Sequence, residues 1–411
     1  AQVTALQQEV DTLKTAGNPM TNADLDTLWL MLCAIVVFFM QTGFTMLECG
    51  SCRAKNVVNI VFKNSMDACC AALSWWAIGW ALAYGGDTVS GGRNVFIGGG
   101  EFFLVSSGHF PNTAFAGWFF QWAFAATTAT IISGAVAERC AVGGYIIVSI
   151  AMTAVIYPVV VHWIWSGAGW LSAFCDTSAF GRVGTNGMID FAGSGVVHLT
   201  GGVGAFVGAL IIGPRRGRFG PAGESEEEKE FRETRYRPHN QVLLCTGTLI
   251  LWLGWYGFNA GSTLMLSGNA SLIAAKVCVT TTLAAGCGGI TTVLMSRIFM
   301  GHFDVNYMMN GILGGLVSVT APCSVVEPWA AAVIGAIGGV VFYGYARLLL
   351  KLKIDDVLCA SGVHGACGIW GVIAVGLFCT KENLISAYGV SDPTVYGLFY
   401  GGGGEQLGVQ L

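Results

Sequence analysis

The sequence predicts an all-α membrane protein whose chain crosses the bilayer many times. Of its 411 residues, 54% are hydrophobic and only 11% are charged, whereas soluble domains carry about 25% charged residues. Apolar runs of about 20 residues, the length that spans a bilayer as a helix, follow one another along the chain. The 59 glycines fit the same class, because small residues let helix backbones approach closely in lipid.

Ten apolar runs follow a polar N-terminal segment, residues 1–26. This segment lacks the apolar core and cleavage pattern of a signal peptide, and we expect a short helix in it that ends at Pro19. Residues 380–411 are expected to form an external loop and the start of an eleventh span, with the rest of that span and a cytoplasmic tail missing. The ten predicted spans cover residues 27–48, 57–84, 114–137, 142–170, 191–213, 240–262, 270–297, 307–323, 328–350 and 361–379.

The basic residues predict how the chain lies in the membrane. Fifteen of the 20 Lys and Arg residues flank the predicted spans on one side, which is typical of the cytoplasmic side. The N-terminus is then expected outside, in a plasma membrane or bacterial inner membrane. The loop 214–239 separates five spans (27–213) from five more (240–379). Because it is basic and then acidic, we expect a solvated cytoplasmic connection, with docking of a regulatory partner as the alternative.

Two histidines lie at the start of Gly-rich apolar runs. His198 follows Val197, and His364 follows Val363 in the last predicted span. Ionisable side chains within a span are costly and usually face the bundle interior or a pathway. The repeated pattern indicates that the two halves of the chain are related, and transporters built from such repeats bind their substrates where the halves meet. We therefore predict that His198 and His364 line the working site.

Aromatic residues cluster at the predicted outer ends of the third, fourth and sixth spans. The ordinary interpretation is an interfacial aromatic belt. The functional one is a vestibule in which Trp165 and Phe124 hold a small cation by cation–π attraction while the hydroxyl of Ser262 accepts its hydrogen bond. The sequence pattern leaves both interpretations open.

The remaining polar residues indicate little further chemistry. Most of the 14 cysteines lie in apolar runs and are interpreted as small buried residues. Cys49 and Cys52 have no second pair at zinc spacing, so no metal is predicted. Glu48, Lys63 and Asp67 are expected to form an ion pair or to lie at the cytoplasmic edge, with a transport role as the alternative. No nucleophile with a partnered base, no cofactor-binding motif and no nucleic-acid surface is recognised.

Several ordered motifs resemble those of the ammonium transporters of the Amt/Mep/Rh superfamily. The resemblance extends from about residue 25 over nearly the whole chain, and Trp165 favours the Amt/Mep branch, since the Rh branch generally lacks it. It implies a bundle of eleven helices in two inverted halves of five, assembled as a homotrimer with one pore per subunit. The motifs are Arg53-Ala54-Lys55-Asn56, Gly134 to Arg139, Asp190 to Gly193 with Val197-His198, Gly254-Trp255 with Gly257 to Ser262, Thr320-Ala321-Pro322 and Val363-His364-Gly365.

The resemblance also implies a role for each candidate residue, with ammonium as substrate and methylammonium as its analogue. Asp190 orders the backbone around the outer site. The other roles are recruitment of ammonium by Trp165, Phe124 and Ser262, a stacked gate of Phe124 and Phe258, and a pore lined by His198, His364 and Trp255.

Two neutral imidazoles in a dry channel suit this task. Each ring offers one donor and one acceptor, so the pair passes ammonia, whereas a metal ion of similar size loses its hydration for little return. Our hypothesis is that ammonium loses its proton near the gate and crosses as ammonia. Electrogenic and neutral transport both remain open.

One motif departs from the family. The approach to the last predicted span usually reads Asp-Asp-Pro-x-Asp, but here Val357 and Cys359 replace the proline and the final acid. The family's regulation through this region is therefore not transferred. An ammonium sensor built on the same bundle, signalling through a missing C-terminal domain, is the main alternative, and a transporter for a larger solute is a second.

Overall fold

The computed structural model describes residues 20–85, 94–105, 114–175, 186–221 and 223–411. In this part of the chain, nine helices are long and apolar enough to cross a membrane, and a further helix, the eighth in order, has 16 residues. Each predicted run overlaps one of these ten helices, and the all-helical membrane fold is confirmed. Numbered first to tenth, they are Asn22–Ser51, Ala54–Tyr84, Ala114–Val136, Val142–Trp165, Ser194–Ile212, Gln241–Gly261, Ala270–Met300, Val305–Thr320, Pro328–Lys351 and Ser361–Phe378.

Polar caps determine where several of these helices begin. Thr21 forms a capping box with Asp24 at the first helix, Asn240 accepts from the Leu243 amide at the sixth, and Asp304 caps the eighth. Such a side chain satisfies an amide that has no partner within its helix, and each is worth about 1 kcal/mol. The fourth helix ends at Trp165, five residues before the predicted end at 170, because Ser166 adopts an extended conformation.

Glycines let the central helices touch backbone to backbone. The first helix packs along the sixth, and the fifth crosses the tenth. A Cβ atom on Gly202 would lie 2.2 Å from the backbone nitrogen of Gly365, so no side chain fits between the fifth and tenth helices there. The two helices that carry the histidines are therefore in direct contact.

The loop between the fifth and sixth helices differs from the solvated connection that the sequence predicts. It contains a short exposed helix, Glu226–Thr234, but its start is buried. Arg215 donates to both carboxylate oxygens of Asp355, at 2.8 and 3.0 Å, and lies 3.4 Å from Glu138. The prediction was wrong for Arg215 because its main partner is 140 residues away in sequence.

The last residues of the chain pack into the bundle. They form two short helices, Lys381–Tyr388 and Glu405–Gln410. The buried side chain of Gln410 both accepts from the Ile189 amide and donates to the Ile189 carbonyl, each at 2.8 Å. This segment therefore fixes the residues immediately before Asp190. The helix predicted before Pro19 lies outside the described residues.

Candidate functional site

An open vestibule of about 700 Å³ lies on one side of the bundle, which we call the outer side. It is bordered by the first half of the third helix and by the ends of the fourth and sixth helices. Phe124, Trp165 and Ser262 all line it. The Trp165 ring meets Phe124 edge to face, with centroids 6.1 Å apart. The Ser262 hydroxyl donates to the Phe258 carbonyl at 2.8 Å, which leaves its oxygen lone pairs to accept from another donor. The structure thus brings the three residues predicted for cation binding into one cavity.

Asp190 holds both the tryptophan and the helix that carries His198. Its carbonyl accepts from the Trp165 indole at 2.7 Å. Its carboxylate accepts from the amides of Gly193, Gly195 and Val196 at 2.8–3.0 Å, which satisfies orphan donors at a helix N-terminus and suits the helix dipole. Asp190 thus joins the vestibule to the deeper part of the site.

Gly193 makes this turn possible. Its φ is +105°, a conformation that favours glycine, and a Cβ atom there would lie 3.1 Å from the Trp165 ring. Only a residue without a side chain therefore lets the chain turn into the fifth helix while the tryptophan packs against it.

Two stacked phenylalanines close the floor of the vestibule. The rings of Phe124 and Phe258 lie 3.9 Å apart at 19°, and both side chains are fully buried. His198 lies directly beyond them, with its ring 5.4 Å from that of Phe258. Passage from the vestibule to the histidines therefore requires these rings to move.

His198 and His364 meet in the core of the bundle. Their Nδ1 atoms are 3.1 Å apart, so one nitrogen carries a proton and the other accepts it. The Nε2 atom of His198 is buried and has no hydrogen-bond partner among the described residues. Trp255 stacks on His198 at 5.2 Å and donates to the Thr320 hydroxyl at 2.9 Å, which fixes the indole in place.

Both histidines lie in π-helical turns, Ser194–Leu199 and Ser361–Ala366. The His198 amide, for example, bonds to the Gly193 carbonyl five residues earlier. Wide turns of this kind are rare and often occur at functional sites. Hydrophobic periodicity does not distinguish a π-turn from an α-turn, so the sequence analysis missed them.

Two further residues escaped the sequence analysis. Thr320, which holds Trp255, lies in the quoted Thr320-Ala321-Pro322 motif, and that motif was the available signal. Ser194 donates to the Val317 carbonyl and accepts from the Ala321 amide, both at 2.7 Å. These bonds tie the fifth helix to the eighth near the histidine pair, and only the folded structure reveals them.

Beyond His364 the open space continues toward the other side of the bundle, which we call the inner side. A small cavity of about 20 Å³ adjoins His364, and a larger pocket of about 320 Å³ follows it, with Asn310 and Leu358 lining both. The first helix begins at the vestibule, with Asn22, and ends at this inner pocket, with Ser51. Vestibule, phenylalanine pair, histidines, cavity and inner pocket therefore follow one another across the bundle.

Charged residues surround the inner pocket. Burial raises the pKa of Asp356 above its ordinary value. Burial acts in the same direction on Asp355 and is the largest single influence, but the hydrogen bonds and charge of Arg215 together hold the pKa of Asp355 below its ordinary value. Val357 and Cys359 also line the pocket, so the departure from the family motif falls at the inner end of the passage.

The described residues contain no group of three or more His, Cys, Asp or Glu residues arranged to hold a metal ion. Cys69 is exposed on the bundle surface rather than buried as its apolar surroundings predict.

Comparison with known proteins identifies the family. The model of the Ammonium Transporter Family matches residues 28–411. The chain belongs to this family. It is 41% identical to ammonium transporter 1 member 3 of Solanum lycopersicum, over 94% of this chain and 82% of that protein. It is 42% identical to ammonium transporter Amt2 of Archaeoglobus fulgidus, over 92% of this chain and 76% of that protein.

Solved structures of the Ammonium Transporter Family share the fold. A sensor Amt protein superimposes with a TM-score of 0.79 at 33% identity, covering 94% of this chain and 87% of that one. Mep2 of Candida albicans gives 0.78 at 28% identity, covering 94% and 79%. The curated relatives are named as transporters. The protein is thus a polytopic membrane protein of a transporter family and not an enzyme.

Proposed function

We propose that the protein transports ammonium, which it recruits at Trp165, Phe124 and Ser262 and conducts as ammonia past His198 and His364. The observation that carries this proposal is the 3.1 Å contact between the two histidine Nδ1 atoms beyond a stacked phenylalanine pair in the core of the bundle. The family membership and the names of the relatives support the same substrate.

The vestibule suits a small cation with hydrogens to donate. The faces of Trp165 and Phe124 attract a cation by about 0.5–2 kcal/mol, depending on desolvation. The Ser262 oxygen retains acceptor capacity. A vestibule of this kind concentrates ammonium before the passage narrows.

The gate and the histidines suit the neutral molecule. Phe124 and Phe258 offer no polar group to a hydrated ion, so entry of ammonium beyond them requires loss of its water or its proton. Beyond them, the unpartnered Nε2 atom of His198 is free to hydrogen-bond ammonia. Trp255 keeps the His198 ring in orientation. The proton that ammonium releases returns to the outer solution or crosses by another route.

The arrangement in the membrane belongs to the same proposal. We infer that residues 27–213 and 240–379 form two related halves, that the N-terminus is outside a plasma or bacterial inner membrane, and that three copies assemble. The excess of basic residues on the inner side supports this orientation. Labelling of single introduced cysteines in intact cells tests the orientation, and native mass spectrometry in detergent tests the trimer.

The transport proposal is tested by current recordings across a planar membrane that contains the purified full-length protein. Ammonium or methylammonium is expected to evoke current in the wild type, and His198→Ala/His364→Ala is expected to lose discrimination against potassium. If no current appears, uptake of labelled methylammonium into proteoliposomes distinguishes neutral conduction from no transport. Tight ammonium binding without either form of transport would refute the proposal and favour the sensor.

A further inference from the structure

A carboxylate lies on the wall of the small cavity beyond the histidine pair. Glu48 and Thr130 line this cavity together with His364. Its volume of about 20 Å³ is enough for one water molecule, and ammonia is of similar size. Glu48 is 1% exposed, within the last turn of the first helix. A small solute that leaves His364 toward the inner pocket therefore passes an ionisable side chain.

The carboxylate of Glu48 is held on three sides. It lies 3.4 Å from the Lys63 ammonium and accepts from the Ser133 hydroxyl at 2.7 Å and the Asn64 amide at 3.1 Å. Lys63 in turn donates to the Ser133 carbonyl at 2.9 Å. The first, second and third helices contribute these groups, and each of the four side chains is almost completely buried.

A second carboxylate, that of Asp67, is linked to the same cavity by the hydroxyl of Thr130, which lines the cavity. Thr130 donates to Asp67 at 2.5 Å, and Ser149 donates to the other oxygen of Asp67. Asp67 has no basic partner in the described structure. Glu48 and Asp67 together thus carry one more formal negative charge than Lys63 compensates. An isolated charge within a membrane bundle is costly, so this cluster favours holding one additional proton.

We propose that the cluster of Glu48, Lys63 and Asp67 exchanges a proton with the substrate on the inner side of the histidine pair. Ammonia that leaves His364 takes a proton from the cluster: a new N–H bond forms, the O–H bond of the carboxylic acid breaks, and ammonium and a carboxylate result. The carboxylate then recovers a proton from water in the inner pocket: an O–H bond of the water breaks, and the hydroxide that remains is neutralised in the inner solution. This inference rests on the proposed function, and it assigns the inner protonation step to specific residues.

A purely structural ion pair is the competing explanation. Buried pairs contribute little net stability, and hydrophobic replacements are often neutral or stabilising. A pair that served only packing has no need to face the passage, whereas Glu48 lies on its wall. Proximity to His364 and the shared cavity distinguish this pair from the exposed pair of Lys381 and Asp392.

The pH response of Glu48 depends on the titratable groups around it. The third helix contributes hydroxyls only, and the eighth contributes the neutral Asn310. The groups that titrate are Lys63 and Asp67 of the second helix, Tyr145 of the fourth, His364 of the tenth, and the thiols of Cys49 and Cys52, which follow Glu48 closely in sequence.

The test measures methylammonium uptake into proteoliposomes in which the inner side of the protein faces the vesicle interior. The outer pH is fixed, and the pH inside the vesicles is varied. The variant Glu48→Gln/Lys63→Gln/Asp67→Asn removes all three ionisable groups and, like the cluster with its additional proton, carries no net charge. We expect its rate to fall at least about tenfold, at the low end of what a positioned proton donor contributes, and to become independent of inner pH. Discrimination against potassium is expected to remain, because the histidines are unchanged. Ser133→Ala keeps the carboxylate and is expected to keep an inner-pH dependence with a shifted midpoint.

Glu48→Asp covers the case in which the triple variant fails to fold, as judged by size-exclusion chromatography. It retains a titratable group at a different distance from Lys63, so the midpoint of the inner-pH profile is expected to shift. A triple variant that transports at the wild-type rate with the wild-type profile overturns the inference, and so does an unchanged profile in Glu48→Asp. A wild type without any uptake refutes the proposed function instead, so the two failures are distinguishable.

Discussion

Asp190 is the residue that connects most parts of the outer site. Its carboxylate satisfies three amides at the start of the fifth helix, and its carbonyl holds the Trp165 indole. Because the same helix carries His198, a change at Asp190 alters the vestibule and the position of this histidine together. The side chain is 2% exposed, so water does not replace it.

Asp190→Ala is expected to destabilise the protein by at least about 3 kcal/mol, since it leaves buried amides without acceptors, each costing about 1–3 kcal/mol. Methylammonium binding is expected to be lost because Trp165 is released with the turn. Thermal unfolding in detergent and isothermal titration measure the two effects. Asp304→Ala is the control: it removes one helix cap, worth about 1 kcal/mol, and leaves binding intact. Wild-type binding by Asp190→Ala would contradict this account.

At the scale of elements, the crossing of the fifth and tenth helices sets the distance between the histidines. Each helix carries its histidine in a π-turn, and the two backbones touch at Gly202 and Gly365. His198 and Gly202 are four residues apart, so they lie on the same face of the helix. The histidine contact therefore depends on the absence of side chains at this crossing.

Gly202→Ala is expected to push the two helices apart, because its Cβ atom would meet backbone that cannot move independently. Overpacking of this kind costs about 1–3 kcal/mol, and we expect ammonium flux to fall together with stability. Gly144→Ala in the fourth helix is the matched control, since nothing lies within 4 Å of its Cβ position. Equal flux in the two variants would show that the helix spacing does not control the pore.

Across the whole molecule, a network of charges joins distant segments at the inner side. Arg215 pairs with Asp355 and Glu138, and Glu138 also pairs with Arg53. The ring of Tyr236 lies about 5 Å from the guanidinium groups of Arg53 and Arg215. The start of the second helix, the ends of the third and fifth, and the approach to the tenth are thereby connected.

Asp355→Asn is expected to lower stability by about 3–5 kcal/mol at neutral pH, because it leaves Arg215 buried without its main partner. The folded pKa of Asp355 lies below its unfolded value of 3.8, so the carboxylate contributes stability above about pH 4 and loses it as the pH falls through the folded pKa. The difference in Tm between wild type and variant should therefore be largest near pH 7 and shrink below about pH 4. Asp392→Asn, at an exposed pair, is the control and should leave Tm unchanged. A Tm difference independent of pH would contradict the assignment.

The sequence by itself determined the class of fold and the residue types of the site. Apolar length and the shortage of charge predicted the membrane helices, because a bilayer imposes both requirements locally along the chain. Ordered motifs pointed to His198, His364, Trp165 and Phe124, since motifs preserve residue identity and spacing. Glu48 was recognised as an ionisable residue in or near the first span, but the pattern favoured an ion pair or a position at the cytoplasmic edge over a transport role.

Only the tertiary structure decided which residues distant in sequence are in contact. The pairing of Arg215 with Asp355, the support of Ile189 by Gln410, and the shared cavity of Glu48 and His364 join residues 140, 221 and more than 300 positions apart. No local pattern records such contacts, because they arise when helices cross. The π-turns escaped for a related reason: their hydrogen bonds depend on how the helices pack, while hydrophobic periodicity reports only which side of a helix is apolar.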